Sequence, residues 1–298
     1  MTEFLNRIDK YSCEILEKFP MKKYVTLKVG GEAEVVVYPG SVGELIDMLN
    51  IAYELAINTT TLGAGSNTII RDSGISNLVI STKKLKNFTI NDDNTVRAEC
   101  GAMLSAIMNK TMKMGLKGFE FAAGIPGTVG GGVYMNAGAN GGEIKDIVEK
   151  VWIWDKGEEI EVARNEINFE YRKTDLPRGC VIIGALFKLQ EGNREKSERN
   201  IKEYLDYRNQ TQPVNVANTG SIFKNPEKIA AGELLEKLGL KGHSIGGAKF
   251  SELHANFIVN SGNACASDVI DLIQLAKQKA IDEEGITLET EVEILGDQ

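Results

Sequence analysis

Two histidines and four cysteines are all that this chain offers a soft metal or a nucleophilic relay. His243 and His254 form no H-E-x-x-H, so a histidine-built metal centre is excluded on supply and no metal site is expected. Cys13, Cys100, Cys180 and Cys265 are scattered without a C-x-x-C pair. They read as reduced core or half-buried residues, and they suggest neither a zinc site nor a disulfide framework. The residues that point to chemistry are glycines. Gly118 to Ile144 reads GFEFAAGIPGTVGGGVYMNAGANGGEI. This stretch is too glycine-dense for an ordinary helix or strand, because glycine loses the most backbone freedom on folding. In it Gly124-Ile125-Pro126-Gly127-Thr128 precedes the triplet Gly130-Gly131-Gly132. Such backbone can turn sharply, approach a ligand closely and present N–H groups to negative charge, so a phosphate or pyrophosphate is the expected guest. A connector of this kind would be polar, whereas this one carries Phe119, Phe121, Ile125, Val133, Tyr134 and Met135.

A second glycine loop runs Gly63-Ala64-Gly65-Ser66-Asn67. The dinucleotide fingerprint would need a third glycine where Thr68 stands and a helix after it, and Ile69-Ile70-Arg71-Asp72 does not start one. No Walker A sequence occurs, so a nucleotide cofactor would be held by neither common phosphate loop. The length of 298 residues allows two or three compact units, and 42% hydrophobic with 26% charged residues is ordinary for a soluble globular protein. A net charge of −8 argues against a general nucleic-acid binder. No apolar run is long enough to span a bilayer and no basic-then-apolar leader opens the chain, so no membrane partner and a cytoplasmic location are expected.

The elements that must position these loops follow in order. Residues 1 to about 24 read as a leading helix with a loose end. Gly30-Gly31 and the run Val35-Val36-Val37 follow, and Ser41 with Glu44 is a capping-box signature for a helix over Gly43 to Leu55. Thr59 to Leu62, Ile69-Ile70 and Leu78-Val79-Ile80 supply strands of a small α/β unit. Thr95 to Cys100 is β-prone, and a helix over Leu104 to Met114 is ended by Gly115. Val148 to Trp154 and Val181 to Leu189 are β-rich. The charged helix Glu195 to Asn209 presents a solvated face. Further helices are expected over Ala230 to Leu238, stopped by Gly239, and over Asp268 to Glu284, stopped by Gly285. A strand over Phe257 to Val259 lies between them. The last strand, Thr287 to Leu295, alternates: Leu288, Val292 and Ile294 on one face, Glu289, Glu291 and Glu293 on the other.

Five pieces in this order carry a resemblance: the two glycine loops, Tyr171-Arg172, the GSIFKNP segment from Gly220 to Pro226, and the terminal LETEVEILG from Leu288. Together they resemble the UDP-N-acetylenolpyruvoylglucosamine reductase family, flavoenzymes of peptidoglycan precursor synthesis, from about Thr26 to Gly296. The N-terminal two thirds also resemble the wider superfamily with the vanillyl-alcohol-oxidase type of FAD-binding fold. The resemblance implies an α+β chain: a two-subdomain FAD-binding fold of that type plus a C-terminal α/β substrate-binding domain. The corresponding segments are 1-82, 83-193 and 194-298, the last strand returning to the FAD side. The short interval between Arg172 and Ser221 fits the subtype without a tyrosine-bearing insertion.

By that resemblance Gly63, Ala64, Gly65, Ser66 and Asn67 meet the FAD pyrophosphate, and Gly124, Ile125, Pro126, Gly127, Thr128 and Gly130 line the rest. Neither loop offers histidine or cysteine, so FAD is expected without a covalent bond. The implied reaction passes a hydride from NADPH to FAD and from flavin N5 to the double bond of UDP-N-acetylglucosamine enolpyruvate, giving UDP-N-acetylmuramate. Ser221 would protonate the enolate, although a serine after glycine otherwise reads as a turn residue. Arg172 would polarise the carboxylate with its forked, permanent charge; by itself it reads equally as a surface arginine beside an aromatic. Glu291 matches the third catalytic position against its apparent solvent face. Tyr171, Arg208, Lys224, Asn225, Lys241 and His254 fall where the family contacts substrate, and His254 reads equally as a hydrogen-bonded core histidine. Thr219 stands where alanine is common, a harmless change, while Tyr207 stands where a second arginine is frequent, which calls one substrate or phosphate contact into question. A monomer is expected. The rival readings are an FAD-dependent oxidase of the same superfamily, which would lack GSIFKNP and the terminal glutamate, and a non-catalytic flavin- or nucleotide-sugar-binding protein.

Overall fold

A computed structural model describes residues 1–297. Helix α1 covers only Thr2–Ile8, where Phe4 and Ile8 share one buried face; the apolar i, i+4 spacing then lapses and Glu14–Pro20 is a strand. The expected helix to residue 24 is therefore a helix, a strand and a short 3-10 turn at Met21–Lys23. α2 spans Val42–Glu54 and begins as its capping signature predicts: the Glu44 amide donates to Ser41 Oγ at 3.2 Å. The Glu44 carboxylate takes the Gly40 amide (2.7 Å), one residue before the cap.

The first of two compact units comprises Met1–Leu16, Val35–Ala64 and Asn77–Asp206. One four-stranded sheet has the order Glu14–Pro20, Glu32–Tyr38, Ile75–Ser81, Thr59–Leu62, the last two parallel. In this unit Leu45, Met48 and Leu49 of α2 bury against Val35, Val37, Leu78 and Ile80. An antiparallel five-stranded sheet has the order Glu158–Ala163, Val148–Asp155, Val181–Lys188, Thr95–Glu99, Phe88–Ile90. It shares a core with α3 (Leu104–Lys113) and α4 (Val129–Tyr134), built from Leu104, Ile107, Val129, Val133, Val151 and Phe187. α5 (Arg194–Thr211) buries Ser197 and Ile201 and is otherwise half-buried or exposed, the solvated helix that its charge predicts.

α4 corrects the expectation that the glycine triplet cannot be helical. A Cβ on Gly130 would lie 3.3 Å from the Cβ and carbonyl oxygen of Cys100, and one on Gly132 would lie 3.0 Å from Leu104 Cδ1. Tertiary contact selects glycine here: the helix lies too close to its neighbours for larger residues, and packing outweighs a propensity cost of about 1 kcal/mol per glycine.

The second unit comprises Glu17–Glu34, Gly65–Ser76 and Tyr207 onward. Its antiparallel sheet has the order Asn218–Ser221, Phe257–Asn260, Ala248–Phe250, Ser244–Ile245. α6 (Ala231–Lys237) and α7 (Ala266–Glu284) bury Leu234, Leu235, Leu272 and Ile273 with Phe250 and Ile258, joined by Leu27, Val29 and Ile69 from early in the chain. α7 begins two residues before the expected Asp268 because the Asp72 carboxylate accepts from the amides of Ala266 and Ser267, both at 2.8 Å. It ends at Gly285 in the left-handed conformation (φ 65°), as expected. Cys265, just before it, is exposed rather than half-buried. The terminal strand is shorter than its alternation suggests: Glu293–Leu295 pairs in parallel with Thr68–Ile70, while the stretch around Thr290 pairs elsewhere.

Candidate active site

In the first unit the strand Thr59–Leu62 delivers Gly63 against Thr128, where a Cβ on Gly63 would lie 2.5 Å from Thr128 Oγ1. Thr128 is 2% exposed, and its hydroxyl has no hydrogen-bond partner among the described residues. A buried hydroxyl left unpaired costs about 1–3 kcal/mol, which a polar guest reaching it would offset. A glycine that admits no side chain, facing an orphaned hydroxyl, fits a closely held cofactor with polar groups.

The amides nearby are differently employed. Gly124 turns with φ 80°, but the N–H of Val129 donates to Ala102 O and that of Gly130 to Cys100 O, both at 2.8 Å. Gly127 O accepts from Leu104 N at 3.0 Å. The Val129 and Gly130 amides are thus committed to the protein. Ile125 is half-buried and Pro126 exposed. Cys100 is fully buried, which drives its thiol pKa up to about 12 and makes it inert.

Tyr171 and Arg172 form the two-residue turn of a small hairpin, with Phe169 opposite Thr174 and Glu170 opposite Lys173. Arg172 has φ 57°, a left-handed conformation that costs an L-residue about 1–2 kcal/mol. Its guanidinium lies 5.1 Å from the centre of the Tyr171 ring. The hairpin is tied to the end of α4: Thr174 Oγ1 donates to Tyr134 O (3.1 Å), and Asn136 Nδ2 donates to Glu170 O (3.0 Å). Asn136 is fully buried; its amide also donates to Glu143 Oε2 (2.6 Å) and accepts from Lys145 N (3.1 Å).

In the second unit Ser221 ends its strand after a bulge, with Gly220 at φ 78° and the Gly220 amide donating to Asn218 Oδ1 (2.8 Å). The next residues pair with the terminal glutamate segment: Lys224 N donates to Glu289 O (2.9 Å) and Glu291 N to Ile222 O (2.8 Å). This sets Glu291 beside the Ser221 segment. Asn67 holds Glu291 from the other side, its Nδ2 donating to Glu291 O (2.9 Å) while its own carbonyl accepts from Glu293 N (3.0 Å). Gly65, at φ 71°, packs where a Cβ would lie 3.0 Å from the Tyr24 ring, and its carbonyl accepts from Thr26 N (3.1 Å). Thr26 Oγ1 in turn donates to Asn218 O (2.6 Å). The loop Gly65-Ser66-Asn67 and the segments of Ser221 and Glu291 are therefore one hydrogen-bonded assembly. Gly63 and Ala64 belong to the other unit.

Four of the remaining expected substrate residues have visible local partners. Lys224 Nζ lies 3.5 Å from Glu289 Oε2 and Lys241 Nζ 2.8 Å from Glu236 Oε1. Asn225 Oδ1 accepts from Ala231 N (3.0 Å), the first residue of α6. Arg208 is half-buried, and burial draws its guanidinium below the usual range. His254 Nδ1 accepts from Asn256 N (3.2 Å), and its ring meets Phe257 edge-on at 4.9 Å. Desolvation pushes its pKa down, so the ring is neutral at pH 7. Among the described residues no cluster of His, Cys, Asp and Glu could hold a metal ion. Among the described residues no helix is long and apolar enough to cross a membrane.

Comparison with known proteins finds two domain families along the chain. The FAD binding domain family matches residues 33–163, and the UDP-N-acetylenolpyruvoylglucosamine reductase C-terminal domain family matches residues 212–295. A UDP-N-acetylenolpyruvoylglucosamine reductase of Caldicellulosiruptor bescii is 42% identical over 299 residues, covering 99% of this chain and 95% of the relative. That of Clostridioides difficile is 40% identical over 296 residues, covering 98% and 96%. The crystal structure of UDP-N-acetylenolpyruvylglucosamine reductase from Thermus caldophilus is similar with a TM-score of 0.82 at 32% identity, covering 95% of this chain and 99% of that one.

Proposed function

The chain belongs to the UDP-N-acetylenolpyruvoylglucosamine reductase family, and on that premise we propose that it reduces UDP-N-acetylglucosamine enolpyruvate to UDP-N-acetylmuramate for peptidoglycan synthesis, with Arg172, Ser221 and Glu291 acting on the substrate. FAD, when bound, carries the hydride from NADPH to the enol ether double bond. The protein's own residues must orient the substrate, answer the negative charge that builds on its carboxylate, and supply one proton to the carbon that does not take the hydride.

Ser221 is the proton donor in this reading. An alcohol is a weak acid, so the step requires a strongly basic enolate-like carbon held close to Oγ. Arg172 meets the carboxylate as it gains charge, with a planar fork of donors suited to it. The left-handed turn supports that role, since backbone strain is retained where a side chain must be aimed. Glu291 orients the donor, and the observation that carries the reading is its main-chain pairing with Ile222, next to Ser221. Arg208, Lys224, Asn225, Lys241, Tyr171 and His254 are assigned to the UDP-sugar, the cations facing its diphosphate.

Gly63 to Asn67 and Gly124 to Thr128, with Gly130, would hold FAD without a covalent bond, and the unpaired hydroxyl of Thr128 would be open to a polar group of it. The enzyme works in the cytoplasm as a monomer on small molecules and binds no nucleic acid, in keeping with its net charge of −8.

The test is anaerobic reduction by NADPH followed by addition of UDP-N-acetylglucosamine enolpyruvate. The oxidised flavin spectrum should return only after substrate is added. Ser221→Ala should preserve reduction by NADPH and slow the substrate-dependent return by about 10²–10⁴-fold, the usual worth of a positioned acid. Equal loss in both half-reactions would remove Ser221 from the role, and return of the spectrum only with oxygen would remove the activity.

A further inference from the structure

Asn256 is 3% exposed and carries no role in the reading above. Its side-chain Oδ1 accepts from Phe223 N (3.0 Å) and its Nδ2 donates to Phe223 O (2.8 Å). Its main-chain carbonyl accepts from Ile222 N (2.8 Å). A primary amide offers one donor end and one acceptor end in a single plane, as a neighbouring strand does. The backbone ladder between Asn218–Ser221 and Phe257–Asn260 reaches its end at the Ser221–Phe257 pair. Just past that pair the Asn256 side chain takes over and engages both polar groups of Phe223.

The consequence lies on the opposite edge. With Phe223 held by Asn256, Ile222 O and Lys224 N face the terminal segment, where they bond Glu291 N and Glu289 O. Phe223, itself 1% exposed, is thus the middle of a three-layer pairing: the Asn256 side chain, residues 222–224, and residues 289–291. We infer that Asn256 is a positioning residue for the reaction, its amide fixing the register that sets the Ser221 hydroxyl relative to Glu291. A slip of this register by one residue would exchange the faces of Ser221 and its neighbours, so the amide contributes alignment as well as stability. The inference rests on the roles proposed for Ser221 and Glu291.

Asn256→Asp tests it through protonation. The ionised carboxylate still accepts from Phe223 N but sets an acceptor against Phe223 O, whereas the protonated acid restores both bonds. Burial raises a carboxyl pKa, so recovery should fall on the acid side of neutrality within reach of assay. The flavin-loaded variant is expected to be reduced by NADPH as the wild type is. Its reoxidation by substrate should be slower by about 10²-fold at pH 8, the scale of a 1 Å misplacement. The deficit relative to wild type should shrink as the pH falls to about 5.5. The protection of the Phe223 amide relative to wild type at the same pH, which cancels base-catalysed intrinsic exchange, should fall at pH 8 as the strand edge loosens and recover over the same interval.

Wild-type reoxidation at every pH would overturn the inference, as would a pH-independent loss shared by both half-reactions. Recovery of both Asn256→Asp and Asn256→Ala only as unfolded protein would also overturn it, leaving Asn256 a stability residue alone. The Ser221→Ala control separates the two levels. If it reoxidises normally, the functional reading fails and takes this inference with it. If it is slow while Asn256→Asp is normal, this inference alone fails.

Discussion

At the residue scale, the neutral imidazole of His254 leaves a signature in the dependence of stability on pH. Desolvation is the largest cause of its lowered pKa, so the folded state binds a proton less readily than the unfolded chain. The stabilising difference is fully present above the unfolded value of about 6.5, and it is lost as pH falls from there through the folded pKa. Denaturant unfolding between pH 7.5 and 5 should show a fall in stability setting in near pH 6.5 that is absent in His254→Gln. An identical profile in the variant would show that His254 carries no such linkage. The same scale decides what could be read in advance. Arg172, Ser221 and Glu291 stand out through the family's segments, because their own types and spacing fit a turn, a surface and a solvated strand equally well. Alternation groups Glu291 with Glu289 and Glu293, yet Glu291 is half-buried while the other two are exposed. The reason is that residues 289–291 and 293–295 pair with different partners. Asn67, Asn136 and Asn256 hold the candidate residues in place and are illegible as such, since a short amide in sequence reads as a turn former.

At the scale of elements, the glycine stretch was legible as a place of close approach but not as a helix. Glycine density reports that something comes near; it cannot say whether the neighbour is a ligand or the Cys100 and Leu104 side of the same unit. Both are expected here, and Thr128 separates them. Thr128→Val removes the orphaned hydroxyl at nearly constant volume, so the cofactor-free protein should gain about 1 kcal/mol of stability. Flavin affinity should fall. Gly63→Ala, whose Cβ would meet Thr128 Oγ1 at 2.5 Å, should weaken FAD retention by about 10–100-fold, from 1–3 kcal/mol of overpacking. Flavin-to-protein ratios after dialysis read both variants, and full occupancy in each would place the cofactor elsewhere. Helices α2, α3, α5, α6 and α7 and strands such as Val148–Asp155 and Val181–Lys188 were legible because their periods and caps are local. The terminal strand was not, since alternation marks which face is apolar and leaves the number of partners open.

At the scale of the whole molecule, the sequence divides most simply into consecutive segments, while the compact units interleave. Hydrophobic periodicity identifies a face to be buried without identifying what buries it, so the placement of Leu27, Val29 and Ile69 in the core of the C-terminal helices was not readable. Residues 207–298 expressed alone would lack those side chains and also Thr68–Ile70, the strand that pairs with Glu293–Leu295. That fragment should show no cooperative thermal transition, whereas adding the missing segments through a full-length chain restores one; a sharp transition in the fragment would show that the C-terminal core suffices. The interleaving also has a consequence during synthesis. Ile69 leaves the ribosome roughly 150 residues before Ile222, a wait of about 8–30 s at 5–20 residues per second. Through that interval Leu27, Val29 and Ile69 stay without their C-terminal partners, an exposed apolar surface of the kind that chaperones shielding hydrophobic segments would take up.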